Sequence, residues 1–558
     1  MTKDRLFYLP LGGADEVGMN TYVYGYGPPD RERLIVVDMG VAFPDMESTP
    51  GVDLIFADVS WLAERADRID GIFITHGHED HVGALGHLWP KLRATVFTRG
   101  FTGHLARRKI EERGLDGKIV KVVQPWPGAV KAGPFRVGFA PVSHSIPESS
   151  ALIIDTPAGR IVHTGDFKLD PTPVVGEAFD DAFWKGIGDQ GVHVLTCDST
   201  NVFSPLPGRS EASIEAEIQR LAVNASGMIA ATTFASNVAR LKTLASAGVA
   251  AGRSVCLLGR AMRRMVEDSV TTGMLTDFPR TISPDEAKSV PREHLMLLVT
   301  GSQGEARAAS AALSRGKYLG LELSEGDTFL FSSKTIPGNE RAVIRVVNAL
   351  SKKGVDVIDD ASNLYHVSGH ANRPDLDRMH ALLRPRIVVP MHGECRHLKE
   401  HARVAATNGH ASLVAGNGSV VDLTGDVPEV TDHVEAGRIY LDGKVQVGAL
   451  DGVIRNRTRM AMNGHVAVTL FLDEDESDGG PWADLTGLSG TGVSGTSLGA
   501  VLEKEMDRQL ERSMANGASK DEELDDRLAD DLRGVVRRIC DAEVGKKPEV
   551  TVVISRSS

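Results

Sequence analysis

Asp70-Gly-Ile-Phe-Ile-Thr-His76-Gly-His78-Glu-Asp80-His81 (DGIFITHGHEDH, residues 70–81) is the stretch on which the reading of this chain turns. Its first half is a short apolar run closed by polar residues, the pattern of a buried strand. Directly behind it, three histidines and the carboxylate of Asp80 fall within six residues. Imidazole nitrogen and carboxylate oxygen suit a borderline-hard divalent ion such as Zn²⁺. His76 and His78, two apart in an extended turn, can point at one ion. Asp80 and His81, past the turn, can reach a second. A polar surface loop would explain one such histidine, but not this density at the end of a buried strand.

One loop cannot close two metal sites. Three further candidates share the same local context, an apolar strand whose last residues are polar. His144 follows RVGFAPVS, Asp166 follows RIVHTG, and His392 follows RIVVPM. Ligands carried on strand ends of a sandwich converge on one edge, where a rigid scaffold holds them. His163 lies within the strand before Asp166 and reads as a packed or supporting histidine. With 18 histidines in the chain, most are not ligands.

Working outward, residues 1–207 alternate short β-rich runs with Gly, Pro and Asp turns and a few helical stretches. From 208 to 362 the rhythm becomes strand–helix alternation (MIAATTFAS, SVCLLG, HLMLLVTG, TFLFSSK), the signature of βαβ units on a parallel sheet. Residues 363–424 return to short strands, so the parallel-sheet segment reads as an insertion into the first domain. Residues 425–499 read as a β-rich connector and a Gly/Ser-rich acidic linker (DEDESDGGPWADLTGLSGTGVSGTSLG). Residues 500–558 read as a small α+β module. Its exposed amphipathic helix carries an apolar stripe (Leu532, Val535, Val536, Ile539) and is expected to serve assembly.

Composition bounds the function. The 558 residues allow about three or four domains and ample apolar material for cores. Acidic residues exceed basic ones, 75 to 62, for a net charge of −13. A basic overall balance is the usual mark of a nucleic-acid binder, so any polyanion site here must be a local patch or use metal ions. The 4 cysteines form no CxxC pair, which fits a reducing compartment. No apolar run approaches the ~20 residues of a membrane span, and the N-terminus lacks a signal-peptide pattern. The expectation is a soluble, cytoplasmic protein.

The order HxHxDH, lone His, lone Asp, late His resembles the metallo-β-lactamase superfamily. Asp38 in LIVVDMG matches its first motif, an acid that supports the metal loop. The insertion, with Asp198 in TCDSTNV, His370 in YHVSGHAN and His392 in PMHGE, is similar to the β-CASP group of nucleic-acid-processing members. LGGADEVGMN, FASN (234–237), FSSKTIPGNE and the C-terminal module extend the likeness to the bacterial ribonuclease J family over nearly the whole chain. The resemblance implies an α/β protein: an αββα sandwich, an inserted β-CASP domain and a small C-terminal α+β domain. It also implies two Zn²⁺ per chain, with Mn²⁺ or Mg²⁺ serving in assays. His76, His78 and His144 would hold one ion, Asp80, His81 and His392 the other, and Asp166 would bridge. Asp198 and His370 match the acid–base pair. The implied activity is 5′-to-3′ exonuclease action on single-stranded RNA with a 5′-monophosphate, with some endonuclease action. Cleavage would leave a 5′-phosphate and a 3′-hydroxyl, in RNA maturation and mRNA decay. A homodimer or homotetramer and an RNA-degradation complex would be its assemblies.

A terminal phosphate needs donors. The loop His366-Val367-Ser368-Gly369-His370 offers N–H groups, a hydroxyl and imidazoles, and Ser236 and Asn237, with Ser333 and Lys334, could add to it. Two other classes compete with the nuclease reading. A hydrolase of small esters or thioesters would not need a long insertion or the Asp198/His370 pair. A non-catalytic RNA-binding scaffold would not need every ligand position intact.

Overall fold

Alternation along the strands decides the first unit. In Phe135–Pro141, residues Phe135, Val137 and Phe139 face one way, and in Thr21–Gly27 so do Tyr22 and Tyr24. With Leu6, Tyr8, Ile35, Val37, Ile154, Val194 and Val389 they form one buried layer between two sheets. The computed structural model describes residues 4–359, 361, 363–472, 480–515 and 522–556. Its contacts divide into two units, Met1–Ala42 with Phe56–Gly437, and Phe43–Ile55 with Arg438–Ser558.

The first sheet runs Glu429–His433, Ser419–Asp422, Arg5–Gly12, Thr21–Gly27, Arg33–Val37, Ile69–Phe73, Val96–Thr98, Val120–Val122. The second runs Ala411–Ser412, Ile387–Met391, Val194–Asp198, Gly159–His163, Ser150–Thr156, Phe135–Pro141, Ala129–Ala132. Its outer face (Ile153, Val162, Leu195, Cys197, Val388) packs on the helices Asp181–Asp189, Arg373–Leu383 and Cys395–Thr407. Helix Gly100–Glu111 lies on Val96–Thr98 and Val120–Val122 of the first sheet. The result is an αββα sandwich. Ile387–Met391 pairs in parallel with Val194–Asp198, so the chain re-enters the sandwich after the insertion.

The insertion is a five-stranded parallel sheet in the order Ser254–Leu258, Leu295–Val299, Ile229–Thr232, Thr328–Phe331, Asp356–Ile358. Continuous apolar strands such as LMLLV are what a sheet covered on both faces requires. Helices Glu215–Asn224, Val238–Ala250 and Arg260–Thr271 cover one face, and Ala309–Arg315 and Glu340–Ser351 the other.

The C-terminal unit corrects two expectations. Residues 473–499 are not simply a linker: Trp482–Thr486 is a strand paired antiparallel to His465–Leu472, which pairs in parallel with Glu549–Arg556. Residues 473–479 lie outside the described residues. The alternation in WADLT is masked by its Gly/Ser neighbours, and a partner strand supplies the hydrogen bonds that its composition does not advertise. The helical stripe is also not free. Leu532, Val535, Val536 and Ile539 of helix Glu522–Val544 are buried on Val466, Val468 and Leu470 of the same module, with Leu498, Leu502 and Met506. The module's central strand therefore begins well before residue 500. Among the described residues no helix is long and apolar enough to cross a membrane.

Candidate metal centre

Strands Arg33–Val37 and Ile69–Phe73 lie side by side in parallel, and both end at the site. Asp38, the residue after the first, is fully buried in the left-handed region at φ 62°. Its carboxylate accepts from the Thr75 N–H at 2.7 Å, the Thr75 hydroxyl at 2.8 Å and His81 Nδ1 at 2.7 Å. Because the Thr75 hydroxyl donates to Asp38, it can only accept from His76 Nδ1, 3.0 Å away. His144 Nδ1 donates to the Gly369 carbonyl at 2.6 Å, and His392 Nδ1 to an Asp166 oxygen. Each of these bonds holds the ring through its Nδ1 and turns Nε2 into the cluster, the orientation in which imidazole binds a metal, and Asn20 Nδ2 lies 3.0 Å from His81 Nε2.

Those nitrogens converge. His76, His78, His144 and Asp166 bring one ligand atom each within 4.8 Å of one another, and so do Asp80, His81, Asp166 and His392. His76 Nε2 and His144 Nε2 lie 3.2 and 3.1 Å from His78 Nδ1. Asp166 Oδ2 is 3.8 Å from His76 Nε2, 3.7 Å from His144 Nε2 and 3.2 Å from His81 Nε2. Asp80 Oδ2 is 3.6 Å from both His81 Nε2 and His392 Nε2. Asp166 is shared by the two groups.

The donor set fits a pair of divalent cations. Among the described residues His392 Nε2 is buried without a hydrogen-bond partner, and nitrogens of buried rings face carboxylates, an arrangement that positive charge relieves. Burial pushes His78 down to about 3, so its ring is neutral and available as a ligand. Burial also disfavours charge on His81, but Asp166, Asp80 and Asp38 outweigh it and raise its pKa well above the usual value. The carboxylates call for positive charge at that place.

Asp198 closes the strand Val194–Asp198 beside this cluster. Its Oδ2 bonds His370 Nδ1 at 2.7 Å, and its Oδ1 accepts from Thr200 N–H and hydroxyl at 2.9 and 2.7 Å. Burial opposes charge on His370, but Asp198 outweighs it and raises the pKa to about 9. The 366–370 loop is held close: a Cβ on Gly369 would stand 2.9 Å from the His144 ring, so only glycine fits. Ser368 Oγ accepts from Asn201 Nδ2 at 2.8 Å and from the His370 N–H at 3.2 Å, which leaves its own proton to donate. His366 is pushed well below its ordinary value by burial and by Arg240, Lys334, Lys168 and Arg209; Arg240 is paired with Glu211 and Lys168 with Asp170, which leaves Lys334 and Arg209 as the cations suited to an anion. Val367 packs in the core of the insertion. Ser236 is half-buried, while Asn237 caps helix Val238–Ala250 by accepting from the Arg240 N–H at 3.0 Å. Among the described residues the Ser333 hydroxyl is buried without a partner, and Lys334 is exposed. His163 takes no part in the cluster. It bonds Tyr24 at 3.0 Å and packs on Tyr22.

The metallo-beta-lactamase superfamily model matches residues 15–195 and the ribonuclease J beta-CASP domain 226–350. The Zn-dependent metallo-hydrolase RNA specificity domain matches 354–414, and the ribonuclease J C-terminal domain 452–557. The chain is 38% identical to the ribonuclease J of Sinorhizobium meliloti over 99% of its own length and 98% of that protein. It belongs to the ribonuclease J family. The Thermus thermophilus ribonuclease J is 33% identical over 99% of this chain and 95% of that one. The Mycolicibacterium smegmatis protein is 37% identical over 83% and 82%. A crystal structure of a protein of unknown function from Enterococcus faecalis, 16% identical, shares the fold with a TM-score of 0.50 over 75% of this chain and all of that one. As a ribonuclease J family member, the chain is a metal-dependent nuclease that hydrolyses RNA, and its site takes divalent metal.

Two residues of this site were not legible in the sequence. Arg240, fully buried, forks onto Glu211 at 2.5 and 3.0 Å and donates to the Ser332, Tyr365 and Val367 carbonyls at 2.6, 3.4 and 3.4 Å. Asn201 donates to Ser368, Asn372 and the His370 carbonyl. Both hold the 366–370 loop, across sequence separations no local pattern signals. A third His/Cys cluster, Cys197, His380 and His401, also brings ligand atoms within 4.8 Å. Its two Nε2 atoms meet at 3.3 Å with rings 11° from coplanar, the geometry of an N–H···N bond. Asn408 donates to His380 Nδ1 at 3.3 Å and His401 Nδ1 bonds Ser199 Oγ at 2.9 Å. This cluster satisfies itself.

Proposed function

We propose that this ribonuclease J family member is a 5′-to-3′ exoribonuclease with endonuclease action, working through two Zn²⁺ on RNA that begins with a 5′-monophosphate. His76, His78 and His144 would hold one ion, Asp80, His81 and His392 the other, and Asp166 both. Two divalent ions there supply a lowered pKa for bound water and charge stabilisation on a phosphoryl oxygen. Asp38 fixes the His81 ring, and Thr75 the His76 ring, so that Nε2 of each faces the ions. Asp198 holds the His370 ring through Nδ1 and favours its charged form, so that His370 would deliver a proton from Nε2 to the leaving 3′-oxygen. The 366–370 loop, Ser236 and Asn237 take the terminal phosphate. The reading is supported by the conjunction of converging imidazole nitrogens and carboxylates with a neighbouring loop whose Ser368 proton, with Lys334 and Arg209 nearby, suits one phosphate. It places the enzyme in RNA maturation and mRNA decay in the cytoplasm, within an RNA-degradation complex.

The domain limits 1–207, 208–362 and 363–424 follow the same reading. Assembly as a homodimer or homotetramer draws on the family likeness and on Phe471, Trp482 and Val553. All three are exposed, and Trp482 and Val553 both pair with Thr469 on the C-terminal sheet. The deciding experiment digests 5′-labelled RNA bearing a mono- or triphosphate, and a circular RNA, while bound zinc is counted. Faster digestion of the monophosphate with close to two zinc ions per chain is expected. Equal rates on all three substrates would remove the end-reading pocket.

A further inference from the structure

A chain of net charge −13 has to meet a polyanion through a local surface. The charge balance changes in the insertion, where residues 208–362 hold 19 Lys/Arg against 17 Asp/Glu. Several of those cations are committed: Arg240 to Glu211, Arg253 to backbone carbonyls, Arg292 to Asp327. Arg260, Arg263 and Arg264 are not. All three are exposed, and none makes an ion pair or a side-chain hydrogen bond among the described residues.

Their position works against the helix that carries them. Helix Arg260–Thr271 has no acidic residue in its first turn, and the three cations stand at its first, fourth and fifth positions. The helix dipole disfavours positive charge there, and Arg260 has like-charged neighbours at i+3 and i+4. Helix stability therefore does not account for them.

The helix leaves the carboxyl end of strand Ser254–Leu258. The same edge of the parallel sheet releases Ser236 and Asn237 after Ile229–Thr232, and Ser333 after Thr328–Phe331. Ligands of open parallel sheets bind outside the carboxyl ends of the strands. Arg260, Arg264 and Asp268 form one i, i+4, i+8 stripe. At its far end Asp268 bonds His104 at 2.9 Å and Arg108 at 2.5 Å on helix Gly100–Glu111. Met265 packs there against Phe101, Leu105 and Ile146. Leu105 and Ile146 are the side chains a Cβ on Gly77 would meet, at 2.5 and 3.3 Å. The stripe thus runs from the sheet's carboxyl edge to the wall behind His76 and His78.

We propose that Arg260, Arg263 and Arg264 form a track for the sugar–phosphate backbone of single-stranded RNA, gripping nucleotides away from the bond being cut. The inference rests on the nuclease reading but not on recognition of a 5′ end. The test compares the full-length enzyme with its Arg260→Gln/Arg263→Gln/Arg264→Gln variant on a circular RNA, an RNA of about 20 nucleotides and a 5′-monophosphorylated trinucleotide. For single strands each lost phosphate contact lowers the slope of log(kcat/KM) against log[salt] by about 0.7, so a drop of about 2 is expected on both long substrates. Trinucleotide cleavage should be unchanged, and the melting temperature unchanged or higher, because repulsion is relieved. The triple Lys variant should keep the wild-type slope. An unaltered slope on long RNA would overturn the track and assign the charges to an acidic partner surface. An equal loss on the trinucleotide would overturn it too, making the arginines part of the cleavage site. If wild type proves indifferent to 5′ ends, the circular RNA still reads the track, so the two failures are separable.

Discussion

Cys197 and Asp198 are neighbours in one strand and point to opposite faces of the sheet. Each face carries a buried histidine cluster, and the two clusters behave differently. On the Cys197 side, donors and acceptors run in series. Asn408 donates to His380, His380 Nε2–H to His401, His401 Nδ1–H to Ser199, and Ser199 to the Cys197 carbonyl. On the Asp198 side His76, His81, His144 and His392 are all held at Nδ1, and the remaining nitrogens face one another, Asp80 and Asp166, with Asn20 Nδ2 also 3.0 Å from His81 Nε2. Proximity of ligand atoms is common to both. What separates them is what the nitrogens face: one cluster closes its own hydrogen bonds in series, and the other gathers imidazole nitrogens and carboxylates around one space, with His392 Nε2 left without a partner among the described residues.

The comparison breaks most directly at Asp166, which both metal groups share. Asp166→Ala should lower bound zinc and reduce RNA cleavage by on the order of 10³-fold, about 4 kcal/mol of transition-state stabilisation. Near-normal turnover alongside measured metal loss would sink the metal reading. Ser368→Val removes a hydroxyl whose proton is uncommitted. Loss of a charge-assisted hydrogen bond costs about 1.5–3 kcal/mol, so digestion of 5′-monophosphate RNA should slow by about ten- to a hundredfold. Circular RNA should be cut at close to the wild-type rate; an equal loss there would make Ser368 a support of the fold. Asp38→Asn keeps the shape but weakens the clamp on Thr75 and His81. Zinc affinity should fall by about 10–100-fold, read by competition with a chelator, with activity restored by added zinc.

The smallest effect on activity is expected in the self-satisfied cluster. His401→Leu should leave zinc content and cleavage near wild type, and a fall in zinc would make that cluster a metal site after all. Its effect belongs to stability and pH. Burial lowers His401 to about 4, with Asp198 opposing, against 6.5 for the free side chain. The folded state therefore favours the neutral ring. Stability is full above about pH 6.5 and is lost as pH falls towards 4, on the order of 3 kcal/mol across that window. Urea titrations at pH 7 and pH 5 should show a shallower acid loss in the variant, though its stability at pH 7 is lower.

Much of the site was legible because strand ends announce themselves. His76, His78, Asp80, His81, His144, Asp166 and His392 each stand at or just past an apolar run that closes in polar residues, and these seven side chains converge. Composition misled where local chemistry is quiet. Trp482–Thr486 hides among glycines and serines, and the stripe of Glu522–Val544 looks exposed until the sheet that covers it is placed.

By itself, the sequence determined which segments become buried strands, that the parallel-sheet segment is spliced into a sandwich, and which side chains can ligate. Those properties are set by neighbours within a few residues, through side-chain period and turn chemistry. Only the tertiary structure decided how Arg240 reaches Glu211, Tyr365 and Val367, which nitrogen of each histidine carries the proton, and that Cys197, His380 and His401 need no ion. The partners that settle those questions lie tens to hundreds of residues away, and a hydrogen bond depends on direction, which appears only when the chain is folded.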